Sequence, residues 1–176
     1  MLNSIKTRLF VLFTCSLLLT ILTSVFIAYH YEKYIHYYKT TSEHAYAVSH
    51  HALKAQIAFK TQIQEWKNIL LRGYDDTLYT KHLNAFKDYE LEVQKEIAQL
   101  TPLTASYPEL KQLTEDFKKN HHILAKRYRE ALPVFKLSEH NPHITTDKYV
   151  RGIDKKPTQL LSSIVKKSDT IFKQAE

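Results

Sequence analysis

One uninterrupted apolar stretch, residues 9–28, constrains this chain more than any other feature in it. At about 1.5 Å per residue a helix of that length matches a hydrocarbon core of roughly 30 Å, and the stretch carries no charged side chain. The chain is therefore expected to begin in a membrane. Its polar members, Thr14, Cys15, Ser16, Thr20, Thr23 and Ser24, are small enough to bond back onto the helix backbone, so no functional intramembrane charge is implied. A cleaved secretory signal is the rival reading. It needs a shorter apolar region and small residues at the cut, whereas the exit here reads Val25-Phe26-Ile27-Ala28-Tyr29-His30, with Phe26 where a small side chain belongs. The span reads as an uncleaved anchor. Lys6 and Arg8 precede it without an acid, which places residues 1–8 in the cytoplasm and residues 29–176 outside it under the positive-inside rule.

The part beyond the span is of ordinary single-domain length. The chain has a single cysteine, Cys15 in the span, and so no intramolecular disulfide; helix packing must supply the stability of the rest. A net charge of +7 favours anionic ligands or headgroups, but no basic block interleaved with aromatics signals nucleic acid. Glycine occurs only at 73 and 152, and all five prolines lie past residue 100, which is the punctuation of helices. Gly73 suits the end of a first helix, and Asp75, Asp76 and Thr77 suit the start of a second, which Thr101-Pro102 should stop. Pro108 fits a first helical turn, His140-Asn141-Pro142-His143 reads as loop, and Asp154 to Thr158 opens a last helix.

Apolar residues at alternating spacings of three and four place four helices over about 29–72, 76–100, 108–137 and 157–176. The first seam is Ala45, Val48, Ala52, Ala55, Phe59, Trp66 and Ile69, with Gln62 its polar member. The second is Tyr79, Leu83, Phe86, Val93, Ile97 and Leu100, interrupted by Glu90. The third is Leu110, Leu113, Phe117, Leu124, Ala131 and Val134, interrupted by Asn120 and Arg127, and the fourth is Leu161, Ile164, Ser168 and Ile171. Short links between such seams make antiparallel neighbours. The expected fold is all-α: an N-terminal transmembrane helix continuing into an up-down-up-down antiparallel four-helix bundle.

Heights measured from Gly73 put Trp66 level with Leu83 and Phe86, with Arg127 and Ala131, and with Ile164. Gln62, Trp66 and Arg127, with Arg72 above them, form the candidate binding site for a small polar or anionic ligand, because a guanidinium presents a planar fork to a carboxylate. The same residues have plain structural roles open to them: Trp66 as core anchor, Gln62 as register-setter, Arg127 as a snorkelling chain and Arg72 as a cation at a helix C-terminus. Ten histidines invite a haem- or metal-binding bundle. The pairs His50-His51 and His121-His122 belong to different heights, however, and neither a haem-attachment motif nor a Glu-x-x-His pair is present. No cofactor is expected, and no catalytic constellation stands out, so the chain does not read as an enzyme.

The run Gln62-Ile63-Gln64-Glu65-Trp66-Lys67-Asn68-Ile69-Leu70-Leu71-Arg72-Gly73 resembles a signature of the extracytoplasmic sensor domain of bacterial transmembrane methyl-accepting chemotaxis receptors. Related input domains occur in some membrane-bound diguanylate cyclases. A second stretch, Arg151-Gly152-Ile153-Asp154-Lys155-Lys156-Pro157-Thr158, is similar to the one that opens the final bundle helix of those receptors. The resemblance implies a periplasmic four-helix sensor bundle, usually dimeric, held in the bacterial inner membrane and relaying ligand binding to a cytoplasmic signalling rod. A second membrane helix and that rod are expected to be missing: the first helix would run about 65 Å beyond the span and the last only about 30 Å. The expected function is thus the input module of a chemotaxis-type receptor, acting as a homodimer or paired with a full-length receptor. A stand-alone envelope adaptor and an inactive receptor remnant are the alternatives.

Overall fold

The computed structural model describes the backbone of residues 5–138 and 141–175 and the side chains of residues 5–138 and 141–171. It is all-α: α1 (Ile5–Arg72), α2 (Asp76–Leu103), α3 (Pro108–Leu137), α4 (Pro142–Val150) and α5 (Lys155–Ala175). The chain divides into two compact units, Met1–Ser42 and Glu43–Glu176.

The first unit holds the apolar half of α1, long and apolar enough to cross a membrane and with none of its most apolar window buried. Its threonine hydroxyls fold back onto the helix. Thr14 donates to the Phe10 carbonyl, Thr20 to that of Leu17 at 2.8 Å, and Thr23 to those of Leu19 and Thr20, so none needs a partner outside the helix. Tyr29, Tyr31, Tyr34, Tyr37 and Tyr38 beyond it are exposed.

The second unit is a bundle whose helix directions follow from its side-chain contacts. Along α1 and α2 they run antiparallel (His51 to Glu96, Glu65 to His82), along α1 and α3 parallel (Phe59 to Phe117, Trp66 to Tyr128), and along α1 and α5 antiparallel (Ser49 to Asp169, Gln56 to Ser162). The order is up-down-up-down, with the short α4 inserted before the last helix. One core runs through the long helices, with Phe59, Phe86, Phe117, Leu124, Leu161 and Ile164 all but inaccessible to solvent. Packing of these apolar faces, rather than helix propensity, holds the unit together.

The turn between α1 and α2 forms as its residues dictate. The Gly73 amide bonds to the Ile69 carbonyl at 2.9 Å, and Asp75 caps α2 by accepting from the Leu78 amide at 2.9 Å. A Cβ on Gly73 would lie 3.0 Å from Phe135 and 3.1 Å from Tyr79, so the glycine also lets the turn close onto the core.

The structure departs from the expected pattern at three places. Pro102 does not stop α2, which runs to Leu103; near a C-terminus the proline forfeits a single intrahelical bond, and the Thr104 amide still reaches the Leu100 carbonyl. Pro142 and His143 are not loop but open α4, with Asn141 left-handed (φ 48°) before a proline at the first turn, where its missing N–H costs nothing; His140 lies outside the described residues. On α3 the buried line keeps Leu110, Phe117, Leu124 and Ala131 but passes through Thr114, His121, Tyr128 and Phe135. Leu113, Asn120 and Val134 are only half-buried, and Arg127 is exposed.

Candidate functional site

The first-helix seam is buried as expected, and with it goes Gln62, whose side chain is fully enclosed. Its Oε1 accepts from the Nε2–H of His121 on α3 at 3.0 Å, a direct polar link across the core. His121 is wedged between rings, stacked on Phe117 with centroids 5.5 Å apart and edge-on to Phe59 at 5.7 Å. Burial foremost, then the charges of Arg129 and His122, pull its pKa down to about 4, so at neutral pH the ring is uncharged. With Nε2–H committed to Gln62, the neutral ring keeps Nδ1 as an acceptor.

One turn above Gln62 on the same face, Trp66 packs against Tyr128 at 4.5 Å and Phe86 at 6.0 Å. Burial foremost, with the charges of Asp154 and Asp147, raises the Tyr128 phenol above its ordinary range. The layer is incompletely satisfied: Gln62 Nε2, Trp66 Nε1 and His82 Nε2 are all buried without a hydrogen-bond partner. Buried polar atoms are nearly always paired, which makes these three unpaired groups unusual.

Of the four residues expected to share a site, Gln62 and Trp66 are brought together, while Arg127 and Arg72 are both exposed. The α3 register turns Arg127 outward by one position and puts Tyr128 where it was expected. Arg72 stands in the last turn of α1, where a cation meets the carbonyl end of the helix. His121 and Tyr128 are the members of the layer that apolar counting misses.

Beside His121, between α2 and α3, lies a cavity of about 300 Å³. Its buried lining is Val93, Ile97 and Phe117, with His121 at one side, and the exposed Lys118 and His122 stand on its rim. Side-chain hydrogen bonds link the helices of the bundle. Arg129 of α3 donates to Glu90 of α2 at 2.6 Å, and the Nδ1–H groups of His51 and His82 meet Glu96 and Glu65, each at 2.6 Å. Burial works to raise the Glu96 carboxyl, but the hydrogen bond and charge of His51 and the charge of Lys54 outweigh it and hold the group below its ordinary value. Among the described residues, no group of three or more His, Cys, Asp or Glu is placed to hold a metal ion.

An all-α bundle continuous with an exposed apolar helix, and carrying a polar layer inside an apolar core, defines the broad class. No family model matches the chain, and no solved structure matches it at a significant level. The methyl-accepting chemotaxis protein CtpH of Pseudomonas aeruginosa is 32% identical to it over 111 residues, which are 63% of this chain and 19% of that protein. The chain is thus related to a chemotaxis receptor, and the match spans about a fifth of the receptor's length.

Proposed function

We propose that this chain is a membrane-anchored sensory input module of chemoreceptor type, with its bundle outside the cytoplasmic membrane. The observation that carries the reading is the similarity to CtpH over 111 residues. Two features of the chain support it. A single helix, α1, carries both the apolar span and the buried Gln62–Trp66 face, so a change of packing at that face is a change in the helix that enters the membrane. The layer around Gln62 also carries buried polar groups without partners, so a packing or a ligand that pairs them is favoured over one that does not. Gln62 and Trp66 belong to that switching layer, and the exposed Arg72 and Arg127 remain available to a partner or a second copy. A homodimer, or a pair with a full-length receptor, supplies the second half of the signal.

Two measurements test this. Protease added to intact spheroplasts should degrade residues of the bundle and spare those of the apolar span; full protection would place the bundle inside. In thermal melts of the purified full chain against a broad panel of small metabolites, at least one should stabilise it, by about 2.7 kcal/mol at a hundred times its Kd. A panel without effect would count against a sensory role.

A further inference from the structure

We infer that the cavity between α2 and α3 is the ligand site of this module and that its ligand is a small amphipathic carboxylate, sensed by His121 and passed to α1 through Gln62. The inference rests on the sensory reading above and specifies its site and chemistry. Val93, Ile97 and Phe117 give the cavity an apolar interior that rewards a hydrocarbon or alicyclic body, and a volume of about 300 Å³ limits that body to a compact one. No carboxylate is among the lining side chains, whereas Lys118 stands at the rim; the Thr101 hydroxyl, also on the lining, donates to the Ile97 carbonyl at 2.7 Å. An anionic head at the rim with an apolar body inward is the ligand that leaves neither part mismatched. Inorganic phosphate could satisfy the lysine but not the interior.

The route to α1 is equally local. His121 is at once a wall of this cavity and the partner of Gln62, so a ligand that displaces the ring strains or breaks the bond at Gln62 Oε1. Gln62 Nε2 has no partner to lose, so loss of the Oε1 bond is the change this enclosed amide must accommodate, and Trp66 lies one turn along with its own Nε1 unpaired. An event at the cavity is thereby expressed on the buried face of the first helix.

The full-length chain in detergent provides the test, because Trp66 is its one tryptophan and reports the layer directly. Titration with hexanoate or cyclohexanecarboxylate should raise the melting temperature and shift the Trp66 emission, while hexanamide and inorganic phosphate should each act at least ten-fold more weakly. Ala98→Phe, at an exposed position on the cavity lining, fills the space from the surface without removing a core side chain and should abolish both responses. Lys118→Gln should weaken the carboxylates about ten-fold and leave hexanamide unchanged. The assignment is overturned if neither carboxylate acts on the wild type, if phosphate acts as strongly as they do, or if the response survives Ala98→Phe. A compound of another class that stabilises the wild type and A98F alike would also overturn it, and would leave the sensory reading standing.

Discussion

His121 places a titratable ring in an apolar core, and its free-energy consequence has a definite sign. In the unfolded chain it takes up a proton near its ordinary value of 6.5, and in the folded chain only near 4. Between those values the unfolded state binds more protons, so stability is intact above about pH 6.5 and falls as the pH is lowered towards 4, by ~3 kcal/mol in full. Glu96, held below its ordinary value, adds a loss of the same sign below the usual carboxylate range. Denaturant midpoints measured from pH 7.5 to 4.5 should show this slope, and His121→Asn should flatten it above pH 5. A slope unchanged in the variant would mean that other groups carry it. The sequence did not single out His121, because a histidine beside a second histidine gives no sign of which ring turns inward.

At the scale of the element, α3 shows where reading by pattern reaches its limit. Spacings of three then four and of four then three satisfy the same periodicity, and both pass through Leu110, Phe117, Leu124 and Ala131. Leu113 and Val134 favour the first, Tyr128 and Phe135 the second. What decides is the partner helix: the aromatic members reach Trp66 and Tyr79, contacts that periodicity alone does not contain. The seam on α1 was legible because its alanines, phenylalanine and tryptophan line one face and its lysines lie elsewhere. The α4 helix was not, since Asn141-Pro142 serves equally to close a loop and to open a turn. Capping signals were the most faithful. Asp75→Ala removes the bond to the Leu78 amide and should cost about 1 kcal/mol, measured by chemical denaturation, with Asp75→Asn recovering most of it.

For the whole molecule, the division at residue 42 separates an exposed, largely apolar stretch of helix from a bundle built around one apolar core. Because that core draws on all four long helices, the bundle should unfold as one unit. Trp66 emission and amide exchange of α2 and α3 should give a common denaturant midpoint, and a separate earlier transition of either helix would show the core to be divided. The two His–Glu pairs between α1 and α2 have a further consequence for how such a bundle can move. The same number of residues separates His51 from Glu65 on one helix as separates His82 from Glu96 on the other. Both pairs therefore engage at one alignment of the two helices, like two teeth of a single rack. Sliding α1 past α2 would disengage both together, with no halfway position in which one still holds. Any motion that leaves both pairs intact must therefore tilt or roll α1 and α2 together rather than slide one along the other.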